Sequence, residues 1–362
     1  MPEHVITGIE QVSVAWLTSV LEKSGALTHG AVESFEVGAG QGNWSTSANL
    51  VLNYSEHARG QLPKRLFLKM VETDLGDGES FGDSEVTYYT RDYVDVPHAP
   101  VLRCYDAAYS EELGRYHMLL EDVSETHTEA AYKDPSLKYG LVLAEGLAVL
   151  HARWWGEKRL AEAGAVIHSA SHIRQFVEIA APGVEHITSR FAGELQPEWP
   201  ALLDEIYTNH PQAMIRRTED PNGFTIIHGD AGRGNILVPR RGERPLYLID
   251  RQPFNWSLTV WLGVYDLAYA VILDWEIEAR RQVEIPLLER YHQALQENGV
   301  QDYTWEQLLY DYKLCAVMGV YIATEYCRGG VNEPWVRVWL PMLQRALTAC
   351  DDLGCRDIWR RR

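Results

Sequence analysis

The chain has 362 residues, 46% hydrophobic and 23% charged, the composition of a soluble globular protein long enough for a sizeable core and two domains. Its 33 basic and 51 acidic side chains leave a formal charge of −18, a field that repels nucleic acid and anionic membranes and draws in cationic small molecules. No apolar run approaches the roughly 18–20 residues of a membrane span, and Met1-Pro2-Glu3-His4-Val5 lacks the basic and apolar segments of a secretory signal. Five scattered cysteines (Cys104, Cys315, Cys327, Cys350, Cys355) form no Cys-x-x-Cys pair. They argue against a disulfide framework or a zinc site and fit a reducing cytoplasm.

Phe35-Glu36-Val37 and the alternating run Ala48 to Tyr54 read as two strands. The glycine-rich stretch between them carries Gly38, Gly40, Gly42 and Asn43, and could lay backbone amides over phosphates. A strand follows it rather than a helix, so it is not a dinucleotide-binding fingerprint. Arg65 to Val71 is a third strand, Asp74 to Gly82 reads as loop, Ser84 to Val94 as helix, and Tyr116 to Asp122 as another strand. From there the pattern turns helical: Leu143, Leu147, Leu150 and Trp154 form one stripe, and Val336, Leu340, Leu343 and Leu347 another. The expectation is an α+β fold, with a β-rich first part over 1–120 and a helical second part over 121–362.

Lys69 sits in an otherwise apolar strand, on the face of Phe67 and Val71, where an ammonium is costly unless paired. Either it snorkels from an edge strand, or it meets nucleotide phosphates and a helix carboxylate. Glu85 is the better partner and Glu79 the second choice.

The densest signal is Ile227-His228-Gly229-Asp230-Ala231-Gly232-Arg233-Gly234-Asn235-Ile236-Leu237, followed by Leu246-Tyr247-Leu248-Ile249-Asp250. An Asp, an Asn five residues on, and a second Asp fifteen further are the parts of a phosphoryl-transfer site. Asp230 would receive the proton of an attacking hydroxyl, while Asn235 and Asp250 would hold Mg²⁺ against ATP phosphates. The bland alternatives are an ordinary turn and an Asp capping one. His228 reads as a structural tie of the loop backbone, and Asp266 as either its support or a plain helix N-terminal acid. Trp256, Trp261 and Trp275, with Asp274, Glu276 and Glu278, would suit a cationic or sugar-like acceptor, unless the tryptophans are core.

On these motifs, with Gly42-Asn43-Trp44-Ser45-Thr46-Ser47 and Leu147-Ala148-Val149-Leu150-His151-Ala152-Arg153-Trp154-Trp155, the chain resembles the aminoglycoside phosphotransferase and choline kinase superfamily, closest to its ecdysteroid-kinase-like, choline-kinase-like branch. The resemblance covers roughly residues 35 to 275. It implies a bilobal protein-kinase-like fold: an ATP-binding lobe over 1–120, a catalytic and acceptor-binding lobe over 121–362, and a hinge at about 119–123 whose backbone at Glu121 and Val123 meets adenine. It also implies Asp230 as catalytic base, Asn235 and Asp250 as metal ligands, and Lys69 with Glu85 positioning ATP. One departure is Arg251 after Asp250, where the family usually has an aromatic residue; Arg251 either neutralises a nearby acid or touches phosphate. The expected activity is phosphorylation of a small-molecule hydroxyl, cationic acceptors included. The alternatives are a kinase-fold binding or regulatory protein without turnover, and a kinase for protein substrates, against which no Ala-Pro-Glu signature is found. The oligomeric state is not legible.

Overall fold

A computed structural model describes residues 5–39, 45–76 and 79–360. In chain order the elements are α1 (Val14–Lys23), β1 (Leu27–His29), β2 (Val32–Ala39), β3 (Ser45–Tyr54), β4 (Arg59–Gly60), β5 (Arg65–Glu72), β6 (Asp74–Gly76), β7 (Glu79–Ser80), α2 (Ser84–Thr87), β8 (Cys104–Ser110), β9 (Arg115–Glu121) and β10 (His127–Glu129). There follow α3 (Leu137–Arg153), α4 (Gly156–Glu162), α5 (Ala170–Ala180), α6 (Pro182–Arg190), α7 (Trp199–Arg217), β11 (Phe224–Ile226), β12 (Ile236–Pro239), β13 (Tyr247–Leu248), β14 (Val260–Leu262), α8 (Val264–Ala268), α9 (Ile277–Glu297), α10 (Trp305–Glu325), α11 (Glu333–Asp352) and α12 (Asp357–Arg360). The protein is α+β. Two compact units emerge: one from residues 1–96, 101–128 and 237–255, the other from 97–100, 129–236 and 256–362.

The first unit is built on a five-stranded antiparallel sheet in the order β2-β3-β5-β9-β8. Alternation decides its faces. Leu50 and Leu52 of β3, Leu66, Leu68 and Met70 of β5, and Leu119 of β9 are buried against Leu17, Val20 and Leu21 of α1. The opposite face of β5 carries Phe67, Lys69 and Val71, with Lys69 in register with Met118 of β9. Glu85 stands in α2, a single turn that passes into a π-helical stretch, Tyr88–Asp92.

Two sequence expectations need correction here. Gly38 is no turn residue: it lies inside β2, in register with Asn49 of β3. Gly40, Gly42 and Asn43 lie outside the described residues. The segment after Asp74 is not plain loop, since β6 and β7 pair and buried Phe81 packs edge-on against Phe254, ring centres 5.0 Å apart. Near the C-terminus Arg356 and Arg360 both pair with Glu205, and Ile358 is buried in α12.

The second unit is helical. At its centre lies α10, whose Leu314 to Val320 stretch is buried on every side. It packs against α5, α6, α7, α8, α9, α11 and α12. The α3 stripe of Leu143, Leu147 and Leu150 is buried, as the spacing predicts, and α3 lies along α9. Among the described residues three helices carry an interior proline (Pro211, Pro286, Pro341), and each forgoes one backbone hydrogen bond there. Among the described residues no helix is long and apolar enough to cross a membrane.

Candidate functional site

In the first unit the Lys69 ammonium lies 2.7 and 2.9 Å from the two oxygens of Glu85 and 2.7 Å from Asp250 Oδ1. Glu85 is buried, and the Tyr116 hydroxyl donates to its Oε2 at 2.5 Å. Burial opposes the charge on Lys69, but Glu85 and Asp250 outweigh it and raise its pKa, so the group stays an ammonium. Of the two candidate partners, Glu85 is the one that meets Lys69; Glu79 pairs in β7 with Gly76.

Asp250 comes two residues after β13 and adopts a left-handed backbone (φ 56°), which Asp tolerates better than most residues. Its side chain is 51% exposed. The chain beyond it is laced to the segment that carries Glu85. The Gly82 amide donates to the Pro253 carbonyl (3.1 Å), the Ser84 hydroxyl to the Gln252 carbonyl (3.0 Å), and Asn255 Nδ2 to the Ser80 hydroxyl (2.9 Å). Arg251 is buried, donates to the Ser84 carbonyl at 2.8 Å, and faces the buried Asp92 at 3.8 Å. A neighbouring acid is thus at hand for the first of its two sequence readings, although Arg91 lies closer to it, at 2.7 Å. Val123 closes a turn after β9, its carbonyl accepting from the Thr126 and His127 amides, and the Glu121 amide donates to the Arg103 carbonyl.

In the second unit the loop from His228 to Asn235 is pinned at both ends. Gly229 adopts φ 82°, a conformation that disfavours side chains, and this turn directs two successive amides at one acid. Asp266 of α8 accepts them, from His228 (2.7 Å) and Gly229 (2.8 Å), and also meets His151 Nε2 at 3.0 Å. The other ring nitrogen of His151 is 2.8 Å from the Tyr291 hydroxyl. Burial alone would raise the Asp266 carboxyl, but the His151 hydrogen bond, the His151 and His228 charges and the Gly229 amide outweigh it and hold it below the usual carboxylate range. His228 Nδ1 accepts the Asp230 amide at 3.3 Å, a backbone tie.

Asp230 is half-buried. Asn235 Nδ2 donates to its Oδ2 at 3.0 Å and to its backbone carbonyl at 3.0 Å, while the Tyr269 hydroxyl donates to Oδ1 at 2.7 Å. Asp274 accepts the Arg233 amide at 2.6 Å; burial pushes its carboxyl up to about 6 against the pull of Arg233 and Arg345. The tryptophans suggested for an acceptor are packing residues: Trp261 and Trp275 are buried, and buried Trp256 leans on Phe176.

Spacing did not reveal Tyr116, Tyr269, His151, Tyr291 or Asp92. His151 stood inside a quoted motif without a role, and Tyr269 lies one turn beyond Asp266, a usable hint once α8 is recognised.

No protein-family model matches the chain, and no curated protein sequence does. Solved structures do. A candidate aminoglycoside phosphotransferase from Ralstonia eutropha aligns over 94% of this chain and 98% of its own, at 14% identity and a TM-score of 0.54. Choline kinase from Cryptosporidium parvum aligns over 95% and 96% (10% identity, TM-score 0.53), and a Plasmodium vivax ethanolamine kinase over 91% and 83% (10%, 0.53). At such identities the likeness is one of fold: the chain has the protein-kinase-like architecture that these phosphotransferase and kinase structures share.

Proposed function

We propose that this protein is an ATP- and Mg²⁺-dependent kinase that transfers the γ-phosphoryl group to a hydroxyl of a small molecule. The observation that carries the reading is Lys69, an ammonium on a kinase-like sheet gripped by buried Glu85 and half-exposed Asp250. In this reading Lys69 meets the nucleotide phosphates, and Glu85, steadied by Tyr116, fixes its direction. The backbone of Glu121 and Val123 meets adenine. Asp230 accepts the hydroxyl proton, which chiefly orients the acceptor because the transition state is loose. Asn235 and Tyr269 each donate to one of its oxygens, which orients the carboxylate toward an incoming hydroxyl.

The donor chemistry suits Mg²⁺. Asp250 offers a solvent-reached carboxylate, and Asn235, with its nitrogen on Asp230, offers an amide oxygen. Among the described residues no three His, Cys, Asp or Glu side chains converge into a cage, but Mg²⁺ usually takes only one or two carboxylates with phosphate oxygens and water. When bound, the ion would neutralise charge developing on the phosphates. The five free cysteines, four of them buried, support a place in the reducing cytoplasm.

The acceptor is proposed by class: an alcohol, including aminated ones, since solved relatives include kinases for choline, ethanolamine and glucosamine and this chain carries a charge of −18. The test is phosphate transfer from labelled Mg-ATP to a panel of amino alcohols, aminoglycosides, sugars, nucleosides and sterols. Asp250→Ala should abolish transfer, and Asp230→Asn should lower kcat far more than ATP affinity. Undiminished transfer by either variant overturns the assignment.

A further inference from the structure

We infer that Tyr269 is a positioning residue for Asp230, fixing the plane of the carboxylate through its phenol. The inference rests on the reading of Asp230 as the base. A carboxylate on a half-buried loop rotates broadly about its last torsion unless both oxygens are held. Here both are held: the Tyr269 hydroxyl donates to Oδ1 at 2.7 Å and Asn235 Nδ2 to Oδ2 at 3.0 Å. The Tyr269 ring meets Tyr265 edge-on, centres 6.0 Å apart, so packing places the hydroxyl. Burial and the Asp230 charge keep the phenol protonated, and hence a donor.

Helix geometry explains why this side chain arrives there. Asp266 accepts the amides of His228 and Gly229, Tyr269 reaches Asp230, and Asp274 accepts the amide of Arg233. Asp266 and Tyr269 are neighbours at i,i+3 on one helix face. Between Tyr269 and Asp274 the helix is not α but π over Tyr269–Leu273, where five residues make about one hydrogen-bonded turn. In an unbroken α-helix five residues advance about 500°, leaving Asp274 roughly 140° away from Tyr269. The π turn brings the third contact back to the loop, so a single helix holds residues 228, 229, 230 and 233.

The experiment compares wild type, Tyr269→Phe, Asp230→Asn and the double variant, with Mg-ATP and choline, ethanolamine, glucosamine or kanamycin as acceptors. Phenylalanine keeps the ring and removes only the hydroxyl. Expected for Tyr269→Phe is a kcat about tenfold or more lower, with KM for ATP and acceptor within about twofold of wild type. In the Asp230→Asn background the same change should alter the rate less than about twofold, because the carboxylate it aims is gone. A purely structural role would leave kcat intact in Tyr269→Phe, or multiply with the Asp230 effect, and either result overturns the inference. If wild type is active and Tyr269→Phe matches it, only this inference falls; if wild type transfers phosphate neither to these acceptors nor to any of the wider panel of amino alcohols, aminoglycosides, sugars, nucleosides and sterols, the kinase reading falls and takes the inference with it.

Discussion

His151 Nε2 lies 3.0 Å from Asp266 Oδ2, and solvent reaches neither side chain. The pair is the foundation of the Asp230 loop, because the same carboxylate receives the His228 and Gly229 amides. A buried carboxylate with three donors is stabilised as the anion, and removing its charge leaves donors facing a poor acceptor.

Stability should therefore depend on Asp266 in acid. Its folded-state carboxyl is lowered from the ordinary 3.8, so its contribution is complete above that value and is lost as pH falls through the lower folded value. Asp266→Asn is expected to cost about 2–3 kcal/mol at pH 7. The gap to wild type should close as both are acidified below pH 4. Urea unfolding from pH 7 to pH 2 measures this; a gap that stays constant over the range would refute it.

Lys69→Met separates the ion pair from the fold. It leaves Glu85 buried with Tyr116 as a donor but no cation, which costs about 3 kcal/mol at pH 8. Burial raises the Glu85 carboxyl, and without Lys69 nothing cationic counters this, so the folded state holds a proton that the unfolded chain releases. The variant should become less stable as pH rises above the ordinary Glu value of 4.5, and more steeply than wild type, in which Lys69 counters part of the same rise. Denaturant midpoints at pH 5 and pH 8 decide it.

Much of this was legible because strand alternation and loop spacing are local. Lys69 on the face opposite Leu68 and Met70, and Asp230 five residues before Asn235, follow from the chain itself. What was not legible depends on contacts distant in sequence. Asp250 shares Lys69 with Glu85 because Gly82, Ser84 and Ser80 bond to the residues after it, and no periodicity encodes that return. Arg251 approaches Asp92 across a similarly long sequence separation. The tryptophans were misleading for the same reason: composition records an indole near acids but not that Trp261 and Trp275 are core. The π turn at Tyr269–Leu273 leaves no propensity signal, since its residues read as an ordinary apolar helix.

Asp274 should be a destabilising charge at neutral pH. Its carboxyl is raised by burial to about 6 from 3.8, so wild type loses stability as pH climbs from about 4 to 6. Asparagine can still accept the Arg233 amide through its side-chain oxygen and carries no charge. Asp274→Asn is expected to be more stable than wild type by about 1–2 kcal/mol above pH 7, with no gain at pH 4, a figure reduced for partial solvent access. Equal stability at pH 8, read from thermal midpoints, would contradict this.

Gly183 tests whether α6 seats directly on α10. A Cβ at this position would stand 2.0 Å from the Thr324 carbonyl oxygen and 2.9 Å from its carbon, both backbone atoms that cannot swing aside. Replacing a helix glycine with alanine normally stabilises by about 1 kcal/mol, through propensity and loss of unfolded-state entropy. The close approach reverses the sign: Gly183→Ala should instead destabilise by about 2–3 kcal/mol, because α6 must move off its neighbour. Gly193 is the control, since nothing lies within 4 Å of the Cβ it would gain, and its alanine variant should unfold at the wild-type denaturant midpoint or above. Both midpoints come from one urea series. Stabilisation by Gly183→Ala would mean that the two helices are farther apart than the Thr324 contact requires.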